Sequence, residues 1–385
     1  MKLNNLRNFR INNSNTKESM KNISKRISWL FSQVIPLILF IVFVMPLYSS
    51  AQLPSQDIDS IMAQQHRNNN FNGVALVSID GDIVYEKGWG HANESWEVPN
   101  TKTTKFRIGS CTKPLTATLI MTLIEEGKLK LDDPVTRYFP DLSQKHAKKI
   151  TIRNLLEHTS GIPDYTGLDF FEERMHVKNE PGEFIKNFWN KELRFEPGTA
   201  LKYTNSGYYL LGVLIEKITG QTYEEVLATR FFDPLNMYRS GLYKNDTIIK
   251  ESARGYIHEK GTLKKAPHVN YSVAYSSCGV YSTARDIYKW QQAFYKNRLL
   301  PEELKQKMLE PRYKHYGLGF TIATDTLQNG TSVTTFGHEG GIFGFRSLLH
   351  MFENRNHLIV LLDNHDHNNL KAIAKEIRGV IFNDK

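Results

Sequence analysis

An α+β fold is the class this sequence predicts: one antiparallel sheet built from both chain ends and flanked by helices, with a mostly helical inserted subdomain. Three observations predict it. Alternating β-rich runs occur near residue 75 and return in the last third of the chain. Apolar residues at helical spacing fill the middle. The final residues carry a one-sided apolar stripe.

In order along the chain, "DIDSIMAQQHRNN" reads as a short helix, and "GVALVSIDGDIVYEKGWG" as a hairpin turning at Asp80-Gly81, a pair suited to positive φ. Leu115 to Gly127 has helical periodicity and closes on the glycine. Thr151 caps "IRNLLEH" and Thr283 caps "RDIYKWQQAFY", while Thr222 and Glu225 form a capping box. "YGLGFTIAT", "TSVTTFGH", "GFRSLLHMF" and "HLIVLLD" are four strands. A last helix follows, with Leu370, Ile373, Ala374, Ile377, Val380 and Ile381 on one face. The joint between sheet and insertion is the natural cleft.

Residues 1–51 read as a targeting leader rather than as part of this body. The basic stretch Lys21–Arg26 precedes the apolar run "WLFSQVIPLILFIVFVMPLYSSA", and Ser49-Ser50-Ala51 offers small residues for signal-peptidase cleavage. The mature domain is then 52–385, starting at Gln52, in the periplasm or outside the cell. An uncleaved membrane anchor is the alternative, against which Pro36, Pro46, Ser32 and Gln33 weigh. Either Met1 or Met20 serves as the start. The leader carries six of the nine net positive charges, so the body is nearly balanced. A nucleic-acid partner is not implied, and membrane contact is expected only if the leader stays. The two cysteines, Cys111 and Cys278, read as separate buried thiols.

Three short patterns could carry chemistry. In "GSCTK", Ser110 and Lys113 stand three apart where a helix begins, and Pro114 fits only near such a start. First-turn N–H groups there favour an oxyanion, and a desolvated lysine can serve a serine as base. The bland alternative is a serine cap with a surface lysine. In "LKYTNSG", Tyr203 could relay a proton and Asn205 could hold Lys113 or a substrate carbonyl, unless they are a core tyrosine and a turn asparagine. In "FGHEGG", Gly340 and Gly341 would let a substrate approach closely, with His338 orienting it or holding a negative group. The bland alternative is a hairpin with glycines in its turn. Two further stretches tempt. His158 and Ser160 in "LEHTSG" lack an orienting acid, and "DNHDHNN", with His365 and His367, reads as the cap region of the last helix rather than a metal tract.

Taken together and in this order, Ser-x-x-Lys, Tyr-x-Asn and His-x-Gly resemble the signature of the serine β-lactamase and penicillin-binding-protein superfamily, in its class C β-lactamase-related branch. "TIRNLLEHTSGIPDY", "FEPGTALKYTNSGYYLLGVLIEKITGQTYEEVL" and "CGVYSTARDI" resemble further segments of that family. The resemblance implies an exported serine hydrolase without metal or cofactor. Ser110 is then the acylated nucleophile, Lys113 its base and Tyr203 the proton relay. Asn205 would bind Lys113 and the substrate, and the amides of Ser110 and Gly341 would form the oxyanion hole. His338 stands where a lysine is usual, which points away from β-lactams and toward D-amino-acid peptides or small esters, unless Arg346 or Lys202 supplies the charge. A true class C-like β-lactamase and a non-turnover penicillin-binding sensor are the alternatives.

Overall fold

The computed structural model describes Met20, residues 54–140 and residues 147–383. The chain divides into one unit over Met1–Leu53 and another over Pro54–Lys385. The leader, Met20 apart, lies outside the described residues, and every helix and strand named belongs to the second unit. Among the described residues no helix is long and apolar enough to cross a membrane.

The helices that matter here are α1 (Pro54–Arg67), α2 (Thr112–Glu125), α3 (Ile152–Leu156), α4 (Asn205–Thr219), α5 (Ala284–Tyr295) and α6 (Leu370–Ile381). The strands are β1 (Gly73–Ile79), β2 (Asp82–Gly88), β3 (Tyr256–Glu259), β4 (Thr262–Lys265), β5 (Thr321–Thr326), β6 (Ser332–Ile342), β7 (Phe345–Phe352) and β8 (Arg355–Asp363). Six of them form one antiparallel sheet in the order β5-β6-β7-β8-β1-β2. Its seam joins the two ends of the chain, with Gly73 opposite Asp363 and Ser78 opposite Leu358. The hairpin β1–β2 turns at Asp80 and Gly81, both at positive φ.

Strand periodicity divides the sheet's side chains between two cores. Val74, Leu76, Val360 and Leu362 face the helical body. Ala75, Val77, Ile359 and Leu361 face α1 and α6, meeting Ile58, Met62, Ile373 and Ile377. Burial on both faces explains why "HLIVLLD" runs apolar without alternation. Helix α2 is buried nearly all round, as is most of α4, so the two form the centre of the insertion.

Caps occur where the sequence predicts them: Thr151 with Asn154, Thr222 with Glu225, and Thr283 on Asp286 N–H. Three boundaries differ. Strand β5 starts at Thr321 because Gly319, at φ +87°, breaks the extended run before it. Strand β6 continues through Gly340 and Gly341 to Ile342, and the turn falls at Phe343-Gly344. Helix α3 stops at Leu156, two residues short of the "IRNLLEH" run, and His158 at the end of that run is left-handed.

Candidate active site

Ser110 lies in a 3-10 turn, Gly109–Cys111, that leads directly into α2. This turn is pressed onto β6. A Cβ on Gly109, whose φ is +50°, would stand 3.0 Å from Gly341 N. One on Gly340 would lie 2.1 Å from Ile108 O and 2.2 Å from Ser347 Oγ, so neither position tolerates a side chain. Ser347 Oγ donates to Ile108 O at 2.6 Å, and Cys111 Sγ to His338 O at 3.1 Å, fastening turn to strand. Cys111 is thus a packed thiol, and burial pushes it up to about 12.

The Ser110 hydroxyl does not cap the helix. Its partners are Lys113 Nζ at 3.0 Å, Tyr203 OH at 2.8 Å and Cys278 Sγ at 3.3 Å. Lys113 is fully buried, and its Nζ also reaches Asn205 Oδ1 at 2.8 Å and Ser277 O at 3.0 Å. Burial without a contacting carboxylate pushes its pKa below the ordinary lysine range. A neutral amine has two N–H donors and one lone pair. With Asn205 and Ser277 taking the donors, the lone pair is left for the Ser110 proton.

Tyr203 and Asn205 flank Thr204, the N-cap of α4, which accepts from Ser206 N–H. The cap aims both neighbours at Lys113. Asn205 Nδ2 donates to Asp164 Oδ2 at 3.2 Å, which fixes the amide with its oxygen toward the lysine. Tyr203 is 39% exposed along its ring, but its hydroxyl points inward, and burial there holds its pKa well above 10. It therefore donates its proton to Ser110 Oγ at neutral pH. His158 packs beneath it, ring centroids 4.3 Å apart, and accepts from Thr204 N–H at 3.2 Å. Ser160 is buried and accepts from Ile162 N–H, so His158 and Ser160 form no catalytic pair.

His338 departs from the expected charge-binding role. It is buried, with Nε2 3.0 Å from Tyr316 OH and Nδ1 2.6 Å from Glu339 O. Both nitrogens are used by the protein. Burial and the nearby Lys113 push it down to about 3, so it presents no cation to a substrate at neutral pH. The nearest cation on this side of the site is Arg346, which lies opposite Gly341 across β6 and β7. A Cβ on Gly341 would stand 2.8 Å from Arg346 Nη1.

A cavity of about 400 Å³ opens beside the nucleophile. Asn205, Cys278 and Gly341 line it on the side of the reactive cluster. Tyr165, Phe171, Phe343 and Phe345 contribute aromatic walls, and Arg346 and Asp366 the charges. The structure thus brings Ser110, Lys113, Tyr203, Asn205 and Gly341 together, with Gly340 serving contact rather than access. Asp164 and Cys278 are additions. Cys278 Sγ lies within hydrogen-bond reach of Ser110 Oγ, yet 168 residues separate them and no local pattern signals it.

A family model described as Beta-lactamase matches residues 58–380. A provisionally named penicillin-binding protein, PbpX, of Bacillus subtilis (strain 168) is 30% identical over 329 residues, covering 84% of this chain and 78% of that protein. Among solved structures, a penicillin binding protein from Bacillus halodurans superposes with a TM-score of 0.71 at 28% identity, covering 85% of this chain and 98% of the other. D-amino acid amidase from Ochrobactrum anthropi SV3 gives 0.75 at 26% identity, with 86% and 98% covered.

Proposed function

This chain belongs to the beta-lactamase family, and from that we propose that this serine hydrolase cleaves amides and short esters, D-amino-acid amides and peptides foremost, through an acyl-enzyme on Ser110. The observation that carries the reading is the buried Lys113 amine 3.0 Å from Ser110 Oγ, with Tyr203 OH 2.8 Å from the same oxygen.

In this reading Ser110 Oγ attacks the carbonyl carbon while Lys113 Nζ takes its proton. The amides of Ser110 and Gly341 receive the oxyanion, a contact worth ~10²–10³ in rate. Tyr203 passes a proton to the departing amine or alkoxide and is reprotonated from the Lys113 side. Water then attacks the ester on Ser110 along the reverse path. General acid–base assistance of this kind contributes ~10²–10⁴.

Two observations favour uncharged substrates: His338 is neutral, and Tyr165, Phe171, Phe343 and Phe345 give the cavity an aromatic side. The D-amino acid amidase likeness adds the stereochemical preference. A second reading, β-lactam hydrolysis, draws on Arg346, whose guanidinium beside Gly341 could hold a carboxylate. A side-by-side kcat/KM series on D-alanine amide, L-alanine amide, a p-nitrophenyl ester and nitrocefin separates the two. The expected order places D-amide and ester at least about tenfold above nitrocefin, since a missing charge-assisted hydrogen bond costs ~1.5–3 kcal/mol. Nitrocefin as the best substrate, lost on Arg346→Ala, would put the β-lactamase reading first. A fluorescent penicillin label that never decays would mark a sensor. The reading also includes export with cleavage after Ala51, tested by the mass of the exported protein. An intact apolar run in a membrane fraction would mark an anchor.

A further inference from the structure

We propose that His258, His365 and His367 form a binding site for a divalent transition-metal ion, zinc foremost, that clips the β3–β4 hairpin to the loop following β8. His365 and His367 belong to the tract that reads as a helix cap. Asn369 supplies that cap, accepting from Ala372 N–H at 3.3 Å, which leaves the two histidines unexplained. The missing third member arrives from β3. One ring nitrogen from each of the three residues lies within 4.8 Å of the other two. The His258 and His367 rings are 3.6 Å apart between centroids.

The backbone beneath the cluster is already in register. Tyr256 N–H donates to Asn364 O at 2.9 Å, Asp366 N–H to Tyr256 O at 3.1 Å, and His258 N–H to Asp366 Oδ1 at 3.2 Å. Two of the rings are oriented from behind. His365 Nε2 lies 3.3 Å from Glu94 Oε1, and the Glu94 backbone is fixed by its N–H donating to Tyr256 OH at 2.8 Å. His367 Nε2 lies 3.3 Å from Asn69 O. Each ring keeps a second nitrogen for a cation. A carboxylate or carbonyl on the far nitrogen is the usual support of a metal-bound imidazole, because it fixes the tautomer and raises the basicity of the ligand.

Donor chemistry selects the ion. Three imidazoles and no thiolate favour zinc, copper, nickel or cobalt over magnesium or calcium, which prefer oxygen. Metal–nitrogen bonds of ~2.0–2.1 Å at tetrahedral angles place the nitrogens about 3.4 Å apart. Closing the cluster by as much as about 1.4 Å is a rotamer adjustment open to His258 and His367, both exposed. Solvent water completes the coordination. Asp366 sits between two of the ligands, lines the cavity beside Ser110, and accepts from Arg346 Nε through its carbonyl. An ion here therefore stiffens one charged edge of that cavity.

The test titrates zinc chloride into the chelator-treated full chain against a chromophoric competitor, with cobalt chloride in parallel. The expected result is one ion per chain and visible cobalt absorption of tetrahedral intensity. His258→Ala and His367→Ala each weaken zinc at least about tenfold, or about 1.4 kcal/mol. His176→Ala, on an exposed histidine elsewhere, leaves it unchanged, as does Cys278→Ala. Circular dichroism of the variants keeps loss of folding separate from loss of ligand. No saturable binding at about 100 µM zinc, or one-to-one binding undiminished in both His258→Ala and His367→Ala, overturns the proposal.

Discussion

Burial strips water from the Lys113 amine, and the acceptors it meets, Asn205 Oδ1 and Ser277 O, are neutral, so no carboxylate contact offsets the loss of hydration. Two outcomes follow at the scale of the residue. Protonation removes the lone pair that Ser110 needs, so kcat/KM on a neutral ester should rise with pH through a limb lying below 10.5, the ordinary lysine value. Lys113→Ala should abolish that limb and cost ~10²–10⁴ in acylation, with Ser110→Ala removing fluorophosphonate labelling altogether. Full ester hydrolysis by Ser110→Ala would end the assignment. The second outcome concerns Cys278, which lines the cavity 3.3 Å from Ser110 Oγ, while Cys111 is sealed beneath Ser347. A small alkyl thiosulfonate, which forms a mixed disulfide with a reachable thiol and releases a sulfinate, should therefore inactivate the protein, and Cys278→Ala should remain active and resist it. Of these residues, Ser110 and Lys113 were legible in the sequence because a helix turn makes them neighbours. Cys278 and Asp164 reach the site through tertiary register, of which local pattern carries no trace, whereas Arg346 stood out in the sequence only as an alternative source of charge.

At the scale of elements, the site depends on how closely a helix start can approach a strand. Gly340→Ala forces a methyl into Ile108 O and Ser347 Oγ, both anchored groups. The expected cost is ~1–3 kcal/mol of stability together with loss of activity, because the Ser110 turn must retreat from β6. Urea unfolding and ester hydrolysis measure the two. Thr222→Ala offers the contrast: it deletes a capping box remote from Ser110 and should cost ~0.5–2 kcal/mol with kcat/KM unchanged. Caps were readable in advance because their donors and acceptors lie three residues apart. The extent of β6 was not, since a Gly-Gly pair reads as a turn unless the partner strand β7 is known to pair with it. His158 escaped for a related reason: the rings of Tyr203, Tyr208 and Tyr316 that pack around it come from distant parts of the chain.

At the scale of the whole molecule, both chain ends supply adjacent strands, as alternation at the two ends and helical periodicity between them led one to expect. What periodicity could not say was that both faces of the seam are covered, which needs the positions of α1 and α6. The same dense burial sets the response to acid. His338 is held near 3 and His158 well below 6.5, both by burial, whereas in the unfolded chain they protonate near 6.5. Unfolding thus takes up protons, and stability should fall as pH drops from about 6.5 toward about 4. Asp363, raised to about 7 by its burial, opposes this with one proton. Glu126, lowered to about 2 by hydrogen bonds from Arg230 and Lys128, and Glu302, lowered to about 2 by those from Lys305, Gln306 and Asn297, lose their contribution only below about 4.5. Urea midpoints across this range should show the decline, shallower in His338→Gln.

The seam between β1 and β8 also fixes how the body answers a mechanical load. Gly73 opens β1 and Asp363 closes β8, and the two residues face each other at one end of the ladder. Tension between the segments just before Gly73 and just after Asp363 pulls on that end alone, so the rungs break singly and in sequence, as a zip opens. The same tension applied from the Asp80 turn to Asp363 loads all the rungs at once. In an optical trap the first geometry should yield at markedly lower force than the second.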